Sequence, residues 1–158
     1  AGCLILEIQE PTDFTIQPER FCGEYKLSDN EMYIGLEKDV ALSVFDYSYT
    51  KERVFNECRK TPTIISKSDN CTKTSVINKN DTPCFSLERY EIENGKTEML
   101  SAPVIYVVTD GEGILTNNSE QYRLKKGDYF FMPYSCKGRF TVKTKNNLTF
   151  ASCIPPEV

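Results

Sequence analysis

Residues 103–133 constrain the fold most, because they have the pattern of four short strands separated by three turns. The apolar, β-branched run of residues 104–108 suits a buried strand. Asp110-Gly111-Glu112-Gly113 holds residues that tolerate positive φ, so we expect the chain to reverse there. Short strands at this spacing predict a closed or sandwiched antiparallel β-barrel. The remaining predicted features are a hairpin turn at Asn117-Asn118, a strand at 121–124, a turn at Lys126-Gly127-Asp128, and a strand at 129–132 that Pro133 ends.

Composition limits the class of protein and its compartment. A chain of 158 residues favours one domain, or one domain plus a short extension. The basic residues are scattered and the net charge is −4, which argues against nucleic acid as a partner. No apolar run approaches the roughly 20 residues of a membrane-spanning helix. The cysteine count is seven and no secretory signal precedes them, so we expect free thiols and a cytoplasmic protein.

The absence of histidine removes the most common metal ligand and the most common general base. It also removes every Ser-His or Cys-His pair from the candidate nucleophiles. A zinc site built from the scattered cysteines would need spacings that this sequence does not offer. The sequence therefore predicts no metal ligands in this chain.

Outside the central stretch, local patterns predict further elements. The chain starts inside an apolar segment, Cys3 to Ile8, so we expect a piece of a larger protein whose bare strand edge can pair with a second copy. Apolar spacing predicts a short helix over about 37–45. The polar residues 66–83 predict a loop. The other predicted strands are Phe14 to Gln17, edge strands at 53–55 and 63–65, Cys84 to Ile92, and closing strands at 138–142 and 148–153.

The order of strands and turns around residues 103–133 resembles the cupin superfamily. Gly127 and Pro133 have the spacing that opens the second cupin motif. Ser135 and Gly138 stand where that motif has Gly and His, and Val104 lies near the position of the Glu in the first motif. The resemblance implies an all-β fold, a cupin-like antiparallel β-barrel (jelly roll), without the metal site.

Several segments are similar to a narrower family, the type I, zinc-dependent mannose-6-phosphate isomerases. CLILEIQEPTDFT resembles the segment after the last metal-binding His, and LEKDVALSVFDY resembles a helix of that family. CFSLERYEI, VIYVVTDGEGIL and LKKGDYFFMP resemble its C-terminal, metal-free cupin lobe. The resemblance implies three parts: the strand and short helix of residues 1–47, belonging to a neighbouring catalytic cupin lobe; a polar connecting segment, 48–83; and the C-terminal barrel, 84–158.

The resemblance also implies an activity, which is the interconversion of mannose 6-phosphate and fructose 6-phosphate. In that family a zinc ion held by Gln, His, Glu and His stabilises the enediolate. All of these ligands would lie upstream of Ala1, in a missing N-terminal catalytic lobe that is the implied partner. We therefore expect the 158-residue chain alone to have little or no activity. The alternatives are a non-catalytic cupin module that binds a sugar or a protein partner, and a lobe that only supports the catalytic one.

The candidate site residues lie near the N-terminus. Where many relatives carry a catalytic Arg, this sequence has Gln17, and Arg20 is the nearest cation. An Arg could hold a phosphate or an anionic intermediate through paired N–H donors. We therefore take Arg20 as the catalytic candidate and Gln17, Glu7 and Gln9 as substrate-binding candidates. The simpler alternative is that all four are ordinary surface or lumen side chains.

Overall fold

The computed structural model describes residues 5–9 and 15–156. These residues form two units, one containing the residues up to Ile8 and from Lys60 onward, and the other running from Gln9 to Arg59. In the described part, no helix is long and apolar enough to cross a membrane. Among the described cysteines, those at positions 22, 58, 71, 136 and 153 are free thiols.

The smaller unit combines a two-stranded hairpin with short helices. Ser28 starts the first helix through a capping box, since its hydroxyl accepts from the Glu31 amide and the Glu31 carboxylate accepts from the Ser28 amide. Met32, Tyr33 and Ala41 form its small core. The elements are β1 (Phe21–Cys22), β2 (Tyr25–Lys26), α1 (Asp29–Met32), α2 (Lys38–Leu42), α3 (Lys51–Arg53) and a π-helical turn (Val54–Cys58).

Two predictions for this unit have different outcomes. The predicted helix over 37–45 is observed as the shorter α2. The predicted edge strand at 53–55 is wrong, because these residues lie at the junction of α3 and the π-helical turn. The Thr50 hydroxyl caps this helical segment, and Arg53 pairs with Glu57 one turn later at 2.9 Å. Local capping and an i,i+4 ion pair therefore outweigh the β propensity of Val54 and Phe55.

The larger unit is one antiparallel sheet that curls into a half-barrel. Its strand order is β3-β4-β5-β11-β7-β10-β6, and β8 and β9 each pair with β7. The predicted all-β, cupin-like fold is confirmed. The strands are β3 (Thr63–Lys67), β4 (Cys71–Ile77), β5 (Ser86–Glu93), β6 (Lys96–Glu98), β7 (Val104–Thr116), β8 (Gln121–Lys125), β9 (Tyr129–Met132), β10 (Thr141–Lys143) and β11 (Asn147–Ile154).

Alternate residues of β5, β7 and β11 point into the half-barrel and make its core. Tyr90, Tyr106 and Phe150 are almost fully buried there. The Phe150 ring stacks on Tyr90 with centroids 4.7 Å apart and meets Tyr106 edge-on at 5.5 Å. These aromatic contacts join the three central strands and fill the centre of the apolar face of the sheet.

The predicted chain reversal at residues 110–113 is wrong, because β7 runs without a break through this segment. Gly111 adopts a φ of +75°, and the pairing of β7 with β11 shifts register at Thr149/Phe150. The first half of β7 pairs with β9 and β11, and its second half pairs with β8 and β10. The extra residue of this bulge is Thr109, while Gly111 pairs with Leu148 two positions further on, so β7 continues as one strand through both parts of the curled sheet.

The predicted loop over residues 66–83 is also wrong in part, because β4 occupies its centre. The segment Cys-Thr-Lys-Thr-Ser-Val-Ile is polar in composition, but as a strand it turns successive side chains to opposite faces of the sheet. Cys71 packs against the core, and Lys73 pairs with Glu88 inside the half-barrel. These polar residues therefore form a strand of the sheet instead of a loop. The short strand β6 has no counterpart among the predicted elements.

The N-terminal strands are not observed in the described residues. Residues 5–8 and 15–17 have no regular secondary structure, so the predicted strands are wrong there, while Cys3, Leu4 and Phe14 lie outside the described residues. Self-association through the N-terminal strand stays a prediction. The assignment of residues 1–47 to a neighbouring lobe also stays a prediction.

Candidate functional site

A polar cluster lies on the concave face of the sheet, where β4 and β5 run side by side. Lys73 Nζ is 2.8 Å from Glu88 Oε2, and the two side chains are only 23% and 15% exposed. The Tyr90 hydroxyl donates to the same carboxylate oxygen at 3.4 Å. Burial lowers the pKa of Lys73, but its bonds to Glu88 and Tyr90 outweigh burial and leave that pKa above its ordinary value. The Lys73 ammonium therefore stays charged and bound to Glu88 at neutral pH.

Two further hydroxyl groups continue this cluster towards the centre of the sheet. The Tyr106 hydroxyl donates to the Ser101 carbonyl at 3.1 Å, and burial raises the pKa of Tyr106 far above its ordinary value. Ser152 faces the same side and pairs in register with Glu88 and Tyr106. Its hydroxyl is fully buried and has no hydrogen-bond partner among the described residues.

The positions that hold the metal in cupins carry no ligand here. Val104 and Met99 are each 1% exposed within the apolar core, and the Gly138 amide donates to the Met99 carbonyl at 3.2 Å. The described residues contain no group of three His, Cys, Asp or Glu side chains that could hold a metal ion. The donor set therefore does not fit the zinc ion that the family implies, and no reaction step can be derived through it in this chain.

A pocket of about 500 Å³ opens into the half-barrel beside β8 and β9. Apolar side chains that point inward form its wall, among them Leu115, Leu124 and Phe130. Tyr122 and Arg123 are also among the residues that line it. It is an apolar recess with few polar groups, which is the usual character of a small-molecule site.

The four site residues predicted from the sequence are placed as follows. In the smaller unit, Gln17 and Arg20 both contact α1. The backbone N–H of Gln17 donates to the Met32 carbonyl at 3.0 Å, and Arg20 Nη1 lies 2.9 Å from Asp29 Oδ1. Glu7 and Gln9 are exposed. The structure brings Gln17 and Arg20 to one short helix, and the catalytic and substrate-binding roles of all four stay predictions.

Sequence reasoning missed the residues of the polar cluster. Lys73 was hidden because its segment was assigned to a loop, and Glu88 lies 15 positions further along the chain. The alternation of Cys71, Lys73 and Ser75 was the available signal, since it matches the period of a strand. That signal was weak because two of these three side chains are polar.

The curled antiparallel sheet, the turn at Gly127 and the strand ending at Pro133 define the larger unit as a cupin domain. In agreement, the chain resembles the polyketide cyclase RemF of Streptomyces resistomycificus, with 19% identity over 63% of this chain and 76% of that chain, at a TM-score of 0.51. More specifically, residues 75–152 match the family model of the mannose-6-phosphate isomerase cupin domain. This match confirms the resemblance of the larger unit to the C-terminal cupin part of a mannose-6-phosphate isomerase.

Other solved structures are similar at lower TM-scores. The EutQ protein of Clostridium difficile is 17% identical over 63% of this chain and 78% of that chain, with a TM-score of 0.49. The ectoine synthase of P. lautus is 13% identical over 70% of this chain and 78% of that chain, with a TM-score of 0.48. No curated protein sequence matches the chain. At such identities, a structural likeness speaks for the fold and not for an activity.

The ionisation of the buried tyrosines predicts how the half-barrel responds to alkaline pH. Burial raises the pKa values of Tyr90 and Tyr106 in the folded protein. Unfolded tyrosine ionises near about pH 10, so above that pH the folded state binds more protons than the unfolded state and stability falls. Tyr106→Phe should cost about 1 kcal/mol at neutral pH through the lost bond to Ser101. This deficit should shrink by up to about 1.4 kcal/mol per pH unit above pH 10.

Urea unfolding at about pH 8 and about pH 11 measures the change in deficit between the two conditions. Tyr129→Phe is the control, because Tyr129 is 78% exposed and its replacement should leave the pH dependence of stability unchanged. Lys73 is present in both proteins, so its own titration cancels in the comparison. A Tyr106→Phe deficit that stays constant or grows with pH would contradict the prediction.

Proposed function

We propose that this chain is the metal-free, C-terminal cupin lobe of a cytoplasmic mannose-6-phosphate isomerase. The whole enzyme would interconvert mannose 6-phosphate and fructose 6-phosphate with a zinc ion held by its catalytic lobe. The observation that carries the proposal is the match of residues 75–152 to the cupin domain of that family. In this proposal the half-barrel supports the catalytic lobe and supplies none of the zinc ligands.

The filling of the half-barrel supports a non-catalytic role for this lobe. Met99, Val104 and Met132 are all nearly inaccessible to solvent, so the region where a cupin metal would bind is packed with hydrocarbon and thioether. Aldose–ketose isomerisation removes a weakly acidic C–H proton, and the enediolate needs an electrophile on its oxygen atoms. Losing even one oxyanion donor can cost about 3–4 kcal/mol in the transition state. A lobe that offers no such group would contribute through binding and support.

Arg20 is the residue through which this chain would contact the substrate in the proposed enzyme. Its guanidinium is 46% exposed and is paired with the still more exposed Asp29. An exposed pair of this kind is weak, so a phosphate could replace the Asp29 carboxylate at little cost. Gln17, Glu7 and Gln9 could add hydrogen bonds to sugar hydroxyls, but they carry no cation.

A coupled fructose 6-phosphate assay tests the proposal. We expect the 158-residue chain to show no turnover of mannose 6-phosphate with added zinc, and we expect the longer gene product, which includes the catalytic lobe, to turn over in a zinc-dependent manner. Zinc-dependent turnover by the chain alone would refute the metal-free assignment. A longer gene product that binds zinc but does not isomerise the sugar would favour a non-catalytic cupin module.

The role of Arg20 is tested in the longer enzyme. Arg20→Ala should raise KM for mannose 6-phosphate, and Arg59→Ala provides the control, since Arg59 is an exposed arginine of the same unit. An Arg20→Ala enzyme with unchanged kcat and KM would remove Arg20 from the substrate site while leaving the proposed activity intact.

A further inference from the structure

Three cations from three different strands lie in one row across the sheet. Arg123 of β8 is in register with Ile114 of β7, and Ile114 is in register with Lys143 of β10. Lys143 is in turn in register with Lys96 of β6. Neighbouring strands lie about 4.8 Å apart, so the row is about 14 Å long. These residues, which are far apart in the sequence, form the basic row.

The basic row faces solvent because the residues beside it face the core. Leu115, Leu124 and Val142 are 5%, 6% and 0% exposed and point into the half-barrel. Successive side chains of a strand point to opposite faces of the sheet, so the members of the row on β7, β8 and β10 point outward. On β6, Thr97 is opposite Val142, so Lys96 points outward as well. All of the cations in the row are exposed.

The charge of the basic row is not neutralised within the part of the chain that the structure describes. None of its cations forms an ion pair there. Two acidic residues flank the row on the same face, but Glu112 is opposite Lys125, and Glu98 lies beyond the end of the row on β6. Lys143 and Lys96 are directly opposite each other, and like charges in this position cost stability. An anion from another molecule would remove this repulsion.

We propose that the basic row is a docking site for an acidic helix of a partner protein. Side chains at i, i+4, i+7 and i+11 lie on one face of a helix, about 5–6 Å apart, which is close to the spacing of neighbouring strands. A helix lying across β8, β7, β10 and β6 would place a carboxylate at each cation and an apolar side chain at Ile114, which is 39% exposed. The inference goes beyond the proposed function, which gives this face no role.

The distribution of charge favours a short protein segment over an extended polyanion. A membrane surface or a nucleic acid carries negative charge far beyond one row of side chains. The chain as a whole has a net charge of −4, and Glu98 and Glu112 flank the row, so such a polyanion would be repelled around its point of contact. A helix with one acidic face meets the cations alone, and salt screens the remaining charges over about 8 Å.

Nuclear magnetic resonance titration of the isotope-labelled 158-residue chain tests the docking site. The probe is an alanine-based helical peptide of about 16 residues, with glutamates at i, i+7 and i+11 and a leucine at i+4. A control peptide has the same composition, with its glutamates spread around the helix. We expect saturable binding of the probe, with the largest amide shifts in β6, β8, β10 and residues 112–116. The control peptide should bind at least about tenfold more weakly.

A matched pair of double variants tests the cations. Arg123→Gln with Lys143→Gln should weaken the acidic peptide by about three- to tenfold. Lys67→Gln with Lys79→Gln removes the same charge from exposed positions of the larger unit outside the row, and it should leave the affinity unchanged. Equal losses in the two double variants would show that only the net charge matters and would overturn the proposal.

Charge reversal provides a readout that a purely structural role would not give. Lys143→Glu should weaken the acidic peptide and gain binding of a matching peptide with lysines in place of the glutamates, with shifts in the same strands. Lys143→Gln should unfold at a urea concentration no lower than that of the unchanged protein, since it removes the repulsion with Lys96. A Lys143→Gln variant that is less stable but binds the acidic peptide as before would overturn the docking role.

Three further results would contradict the proposal. The first is the absence of saturable binding, or amide shifts spread over the whole chain. The second is binding to vesicles that contain phosphatidylserine, with no binding of the acidic helix, which would assign the basic row to a membrane surface. The third is self-association in sedimentation that the Arg123→Gln and Lys143→Gln double variant abolishes, which would assign the row to a second copy of the chain.

Discussion

Replacing Phe150 with alanine is expected to lower the free energy of unfolding of the half-barrel by about 3–5 kcal/mol. Phe150 is 1% exposed and lies on β11, the strand between β5 and β7. Its ring stacks on Tyr90 and meets Tyr106 edge-on, with centroids 4.7 Å and 5.5 Å away. Removing the ring leaves a cavity between two aromatic residues that belong to different strands. The sheet backbone holds these strands apart, so the cavity cannot close.

Urea unfolding followed by far-UV circular dichroism measures this loss, because the half-barrel contains most of the strands. Phe131→Ala is the matched control: the same side chain is removed from β9, but at a position that is 62% exposed. It should cost less than about 1 kcal/mol. Equal losses for the two variants would mean that the three central strands are not joined through Phe150.

The second large effect is expected at Gly111, where an added methyl group meets the backbone of the neighbouring strand. A Cβ built on Gly111 would lie 2.1 Å from the carbonyl oxygen of Asn147 and 2.8 Å from its carbonyl carbon. Gly111 also has a φ of +75°, which costs an alanine about 1–2 kcal/mol by itself. Relieving the clash requires β7 and β11 to separate locally, so Gly111→Ala should cost about 2–5 kcal/mol in total.

Gly127→Ala separates the two contributions to this cost. Gly127 has a φ of +92°, but nothing lies within 4 Å of an added Cβ. This variant should therefore lose only the backbone strain, about 1–2 kcal/mol. The difference between the two variants measures the clash with Asn147. A Gly111→Ala variant that is no less stable than Gly127→Ala would show that the bulge between β7 and β11 adapts freely.

These residues also explain which parts of the fold could be predicted from the sequence. The strands at 121–125 and 129–132 are flanked by turn residues at Asn117-Asn118 and Lys126-Gly127-Asp128 and by Pro133. Each of these signals acts through its own φ or its missing N–H, so it needs no distant partner. The cupin resemblance rests on the same short segments, which is why it was predicted correctly.

The sequence determined less where one local pattern suits two structures. Gly111 tolerates positive φ in a chain reversal and inside a strand alike, and only its pairing with β11 makes β7 one continuous strand. The candidate residues Gln17 and Arg20 came from a resemblance, and the structure adds their contacts with α1 without testing their roles.

Only the tertiary structure decided which side chains meet on the concave face and around the pocket. Lys73 and Glu88 are joined because β4 and β5 pair in register, and a polar segment becomes a strand when its partner covers its backbone groups. The pocket is lined by side chains from β7, β8, β9 and the segment before β10, which only long-range strand pairing brings together. By itself, the sequence determined the local turns and the apolar alternation that make a cupin sheet. Only long-range strand pairing decided which side chains meet inside it, because such contacts join residues that are distant in the chain.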